Sequence, residues 1–236
     1  MLIYAHRGCS KVFPENTMEA FEHAIDIGVD GIELDVQLSK DGEVVIVHDE
    51  NLKRLTGEDA WVFDLTLAEL KELNFAKNRD DFNHTEIPVL EEYLDIVKGC
   101  NLITNIELKT SIFSYPGLID KVAKLIKQYK LEEKVIISSF NHLSLMESKR
   151  IIPEAAHAVL EASNLVKPVE YLKRLNMEYF HPLFTTIDED MIQSLNAEGI
   201  YINAWTVDNP EHASLLKELG VRGIISNVPE VLQNLK

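Results

Sequence analysis

The sequence predicts an α/β fold, a (β/α)8 TIM-type barrel with a small insertion after the second strand, built as one domain over residues 1–236. Three observations predict it. Strand patterns alternate strictly with helix patterns, which favours a parallel sheet. Eight strand–helix units result when the hairpin after the second strand is counted with it, and eight favour a closed barrel over an open doubly wound sheet. The stretch Gly31-Ile-Glu-Leu-Asp-Val36 puts Ile32, Leu34 and Val36 on one face and Gly31, Glu33 and Asp35 on the other. An aliphatic face suits packing under outer helices, and polar tips suit the barrel mouth.

Taken in order, Leu2 to Ala5 reads as a short strand ending in His6-Arg7-Gly8. Asn16 or Thr17 is an N-cap for a helix in which Met18, Phe21, Ala24, Ile25 and Ile27 show helical spacing, closed by Gly28. After the Gly31 strand, Asp41-Gly42 marks a turn, and Val44 to Val47 returns as a strand stopping at His48-Asp49. Residues 51–87 are the least regular, with one clear helix near Leu67 to Leu73, and are expected to form an insertion over the barrel mouth. Helices follow at Leu90–Val97, Leu118–Tyr129, Leu143–Ile152, Leu165–Leu175, Asp188–Asn196, Pro210–Leu219 and Pro229–Leu235. The strands between them are Leu102–Lys109, Val135–Phe140, a weak Ala156–Leu160, Glu178–His181, Ile200–Val207 and Gly223–Ser226. Two helix-to-strand junctions match, Ile27-Gly-Val-Asp-Gly-Ile-Glu33 and Leu219-Gly-Val-Arg-Gly-Ile-Ile225, which reads as a reused packing solution. Neither G-x-G-x-x-G nor G-x-x-x-x-G-K-[ST] occurs, so a nucleotide-cradling loop is unsupported.

In such barrels chemistry sits at the C-terminal strand ends. Those ends supply His6 and Arg7, Glu33 and Asp35, His48, Glu107 and Lys109, Phe140, His181 and Trp205. Glu33, Asp35 and Glu107 on adjacent strands make a hard oxygen site for magnesium, calcium or manganese, with zinc less favoured. Two imidazoles divide naturally into a base that takes a proton from a nucleophile and an acid that gives one to a leaving oxygen. Arg7 and Lys109 fit an anionic, phosphoryl-type group. Each also has a bland reading: His6 as a core histidine, His48-Asp49 as a turn, Glu107 paired with Lys109, Phe140 and Trp205 as core. His23, His84, His142, His157 and His212 are assigned to surface or capping roles, with His181 intermediate.

Composition narrows the partners. A net charge of -16 argues against nucleic acid or an anionic membrane surface, and it requires a local positive charge at any phosphate site. At 46% hydrophobic the chain can bury a sizeable core. Cys9 and Cys100 match no metal or redox spacing. With the first strand starting near Leu2 and no apolar run long enough to span a bilayer, the expectation is a cytoplasmic protein without a signal peptide.

His6-Arg7-Gly8, Pro14-Glu15-Asn16-Thr17, Glu33-Leu-Asp35, Val47-His48-Asp49, Glu107-Leu-Lys109, Ser139-Phe140 and Trp205-Thr-Val207 together resemble the glycerophosphodiester phosphodiesterase family, from about residue 3 to residue 229. The resemblance implies divalent-cation-dependent hydrolysis of glycerophosphodiesters to glycerol 3-phosphate and an alcohol, on a (β/α)8 barrel with an insertion after the second strand. It implies Glu33, Asp35 and Glu107 as metal ligands, His6 and His48 as acid and base, and Arg7 and Lys109 as phosphate contacts. Glu15 and Asn16 match a supporting loop, and Phe140 and Trp205 match walls near the glycerol or alcohol end. Members often carry an acid after the last strand, where this chain has Ser226-Asn227, which leaves one supporting contact open. The expected partner is a small-molecule glycerophosphodiester, without stable membrane association, in a monomer or homodimer. Two other readings keep the barrel: a lipid phosphodiesterase acting on sphingomyelin or lysophospholipid, and a non-catalytic barrel binding a phosphorylated metabolite.

Overall fold

The computed structural model describes residues 1–77 and 79–235. Asn78, inside the expected insertion, and Lys236, at the end of the expected domain, lie outside the described residues. The strands are β1 (Leu2–His6), β2 (Gly31–Leu38), β3 (Val44–Ile46), β4 (Ile103–Leu108), β5 (Val135–Ser139), β6 (Ala156–Glu161), β7 (Tyr179–Pro182), β8 (Tyr201–Ala204) and β9 (Gly223–Ser226). All but β3 pair in parallel in the order β1-β9-β8-β7-β6-β5-β4-β2, and β1 pairs with β2 to close the ring. This is the closed eight-stranded (β/α)8 barrel that the alternation predicts. β3 lies outside the ring, antiparallel to β2, with Val36 opposite Ile46 and Leu38 opposite Val44.

Helices α1 (Met18–Asp26), α4 (Leu90–Val97), α5 (Leu118–Tyr129), α6 (His142–Ile151), α7 (Pro168–Leu175), α8 (Glu189–Ala197) and α9 (Pro210–Glu218) connect the barrel strands, and α10 (Pro229–Leu232) follows the last of them. The short α2 (Lys53–Thr56) and α3 (Leu67–Lys71) lie between β3 and α4. The Thr17 side chain caps α1 by accepting from Ala20 N, and Thr66 and Glu69 form a capping box on α3. α7 begins at Pro168 rather than Leu165, because proline fits the first helical position and disfavours helix in the residue before it. The aliphatic face of β2 packs outward, where Phe21 meets Tyr93 edge-on under α1 and α4. Residues 51–87 gather a small core of their own from Leu52, Leu55, Val62, Leu70, Phe75 and Ile87, closed against Val45 and Val47. The Arg79 guanidinium fastens this segment to the loop after β1 by donating to the carbonyls of Val12 and Phe13.

The matched junctions have one physical cause. Tyr4 of β1 points into the barrel between β2 and β9, and both neighbours present glycine to its ring. A Cβ on Gly31 would lie inside the ring's envelope, and one on Gly223 would lie 2.9 Å from Tyr4 Cε2. The repeated Gly-x-x-Gly thus makes room on both sides for one buried tyrosine. His157 corrects the assignment to the surface. It is fully buried, with Nδ1 3.0 Å from the Ala155 carbonyl and Nε2 3.0 Å from Ser148 Oγ. His181 is fully buried too, inside the barrel, with Asn203 Nδ2 donating to its Nε2.

Candidate active site

Strand register assembles the site. His6 lies beside Glu33, Glu33 beside Asn105, and Asp35 beside Glu107. Side chains two apart on a strand share a face, so Glu33, Asp35 and Glu107 converge inside the barrel mouth. One oxygen from each lies within 4.8 Å of the others, and all three residues are buried. A cavity of about 230 Å³ opens above them, lined by His6, Arg7, Glu33, His48, Glu107, Phe140 and Trp205 among the expected residues. Asn105, Leu160, Thr206 and Ile225 complete its wall. Asp35, Lys109, Glu15 and Asn16 stand behind that lining and act on it through the groups they touch.

The acids are held electrostatically from one side. Arg7 adopts a left-handed backbone (φ 55°), uncommon without glycine, and this turns its amide to donate to Glu33 Oε2 at 2.9 Å. Its Nε lies 3.5 Å from Asp35 Oδ2, and Asn16 Nδ2 donates to the same oxygen at 2.8 Å. Lys109 Nζ donates to Glu107 Oε1 at 3.1 Å and lies 4.0 Å from Asp35 Oδ1. Burial pushes all three carboxyls up. The mutual repulsion of the acids keeps Glu33 and Glu107 raised, while Arg7, His48, Lys109 and the Asn16 amide hold Asp35 below the usual carboxylate range. Asp35 Oδ1 is buried with no hydrogen-bond donor. Two cations leave three acids so placed only partly compensated, and an all-oxygen donor set of this kind fits a hard divalent cation.

The two imidazoles are backed differently. His6 Nδ1 lies 2.6 Å from Asn227 Oδ1, and Asn227 Nδ2 donates to Asp208 Oδ2 at 2.8 Å. The Asp208 carboxylate therefore fixes the amide so that its oxygen faces His6, which makes His6 Nδ1 the donor. Nε2 carries the lone pair and lies 3.9 Å from Glu33 Oε2. Burial and the Arg7 guanidinium push His6 down to about 4. His48 Nδ1 instead donates straight to the Asp49 carboxylate at 2.7 Å, and burial is outweighed there by the His48 and Arg54 hydrogen bonds that hold Asp49 low. Gln37 Nε2 donates to the carbonyls of Val47 and His48, and Tyr115 Oη–H donates to Gln37 Oε1 at 2.6 Å.

Trp205 is steered by its indole N–H, which donates to the His181 carbonyl at 2.8 Å, and its ring meets Phe140 edge-on. His181 itself lies beneath this wall rather than on it. Asn105 has no sequence signal of a lining role beyond the face it shares with Glu107. As supports, Asp208 and Arg54 have none, and Asp49 has only its position beside His48.

Among solved structures, a phosphodiesterase from Oleispira antarctica in complex with its product sn-glycerol-3-phosphate superposes with a TM-score of 0.93 at 28% identity, covering 99% of this chain and 96% of that one. A glycerophosphodiester phosphodiesterase from Thermotoga maritima gives 0.82 at 30%, over 100% and 98% of the two chains. Fold and site thus define a barrel enzyme of the phosphoric diester hydrolase class. The chain belongs to the glycerophosphoryl diester phosphodiesterase family, whose model matches residues 6–231. It is 41% identical over 235 residues to a glycerophosphodiester phosphodiesterase of Caldanaerobacter subterraneus, covering 99% of this chain and 97% of that protein. It is 38% identical to one from Bacillus altitudinis, over 97% and 95%.

Proposed function

We propose that this chain, working as one barrel domain, hydrolyses glycerophosphodiesters to sn-glycerol 3-phosphate and an alcohol, with a divalent cation (magnesium or calcium, with manganese a third candidate) held by Glu33, Asp35 and Glu107. The observation that carries this is the gathering of three buried carboxylates within 4.8 Å beneath a cavity that two imidazoles also line. A hard cation at that position supplies neutralisation of charge on the non-bridging phosphoryl oxygens. Arg7, on the cavity wall, holds the same oxygens, and Lys109 adds its charge from behind Glu107. Neutral His6, with its lone pair on Nε2, takes the proton of the attacking oxygen. His48, whose charge when protonated is balanced by Asp49, gives a proton to the departing alkoxide as the P–O bond breaks. Phe140 and Trp205 wall the glycerol or alcohol end, and Glu15 and Asn16 support Arg7 and Asp35.

Among the described residues no helix is long and apolar enough to cross a membrane, and the reading is of a cytoplasmic enzyme acting on a small molecule. The test is release of glycerol 3-phosphate from glycerophosphocholine. Turnover should vanish with EDTA and return with magnesium, calcium or manganese. Binding without turnover in every metal would leave a metabolite-binding barrel instead.

A further inference from the structure

One side chain of the 51–87 segment bridges the loop after β1 and the loop that carries His48. Arg54, on α2, donates from Nη1 and Nη2 to the two oxygens of Glu15 at 2.8 and 2.7 Å, and from Nε to Asp49 Oδ2 at 2.6 Å. Glu15 belongs to the loop after β1, and its Oε1 also accepts from Arg7 Nη1 at 2.8 Å. The other oxygen of Asp49 accepts from His48 Nδ1. A continuous run of charge-assisted hydrogen bonds therefore passes from Arg7 through Glu15, Arg54 and Asp49 to His48.

We propose that Arg54 is a positioning residue for hydrolysis: it holds Asp49, and through it the His48 ring, at a fixed place relative to Arg7 on the facing loop. The inference rests on the function proposed above. The Arg54 side chain is 45% exposed, so solvent screens part of what this networked pair contributes to stability. Ordering a long side chain in three hydrogen bonds also costs conformational entropy. The guanidinium is nonetheless used as a planar fork across Glu15, with its Nε–H turned to Asp49, a geometry that a lysine ammonium does not reproduce. The backbone of His48 is already fixed by Gln37 and Tyr115. What Arg54 adds is therefore the orientation of the ring, and that is the quantity a proton donor to a leaving group depends on.

The test compares Arg54→Ala, Arg54→Lys, Asp49→Asn and the double variant Arg54→Ala/Asp49→Asn on glycerophosphocholine, with melting temperatures measured alongside. Arg54→Ala should lose about 10- to 100-fold in kcat with KM little changed. Arg54→Lys should fall between it and the parent. In the double variant the Arg54 loss should largely disappear, because both changes cut the same link. A parent-like kcat in Arg54→Ala, or losses that multiply in the double variant, would overturn the proposal. If Arg54→Ala is unfolded at the assay temperature, Arg54→Lys decides: full activity there would mean that a cation suffices without the fork. A second readout needs no substrate. Nitrogen-15 NMR of neutral His48 should show the Nδ1–H tautomer predominant in the parent and a mixture in Arg54→Ala. A parent that hydrolyses no diester would sink the functional reading, while this tautomer contrast still decides on Arg54.

Discussion

His157 gives a stability prediction whose size follows from its surroundings. The ring is fully buried at the start of β6. Burial, reinforced by the nearby Lys149 ammonium and opposed by Glu178, pushes it from 6.5 down to about 4. Its neutral form is matched to the site, with one nitrogen toward the Ala155 carbonyl and the other toward the Ser148 hydroxyl. The folded-state value lies below the unfolded one, so unfolding takes up a proton at any pH between the two. The contribution is complete above about pH 6.5 and declines as pH falls toward about 4. Integrating that difference from pH 7 to pH 5 gives about 2 kcal/mol, a large share of a typical stability of about 5–15 kcal/mol. Urea unfolding of the parent and of His157→Gln at both pH values isolates the effect. Glutamine keeps a donor and an acceptor but does not titrate, so its pH-dependent loss should be smaller by about 2 kcal/mol, whatever its absolute stability. Equal losses in the two proteins would refute the reasoning.

Three further outcomes follow from the site and the barrel. His6→Ala and His48→Ala should each cost about 10²- to 10⁴-fold in kcat while the far-ultraviolet circular dichroism stays unchanged. Near-normal kcat in either would remove that imidazole from the reaction. Glu33 and Glu107 keep their protons to higher pH than ordinary carboxyls, burial and the nearby Asp35 charge being the cause. Magnesium or calcium binding should therefore release protons and weaken as pH falls, and calorimetric heats that do not change between buffers of different ionisation enthalpy would contradict this. Gly31→Ala should destabilise by about 1–3 kcal/mol through overpacking against Tyr4, measured by urea unfolding. No change in midpoint would mean that the ring has room to move.

How far the sequence could be read depended on the range of the interaction. β2 was legible because alternation is local, and the three carboxylates followed because β2 and β4 bring strand ends together in register. The barrel was legible from the order of its elements alone. Arg54 was not, since its partner Glu15 lies 39 residues away and nothing in Leu52-Lys-Arg-Leu marks one basic residue above the other. His157 escaped because a histidine on a weak strand has no local mark of burial, which is decided by α6 packing over it. Lys109 shows the reverse. Its bland pairing with Glu107 is present, and its expected phosphate role is left to its charge, because the ammonium stands behind the cavity lining beside the acids.

The departure at Asn227 separates the two imidazoles. A chain with a net charge of -16 repels a phosphodiester at long range, so every charge near the scissile bond matters. Had a carboxylate stood at position 227, it would have faced His6 directly and favoured the imidazolium. Here the carboxylate is Asp208, one step further back, and Asn227 relays its orientation without its charge. His6 is thus held in one tautomer yet stays neutral, while His48 has Asp49 against its ring. Backing one imidazole with a neutral amide and the other with a carboxylate would suit two chemically alike side chains to opposite duties. The proposed assignment of base to His6 and acid to His48 rests on that asymmetry rather than on either histidine alone.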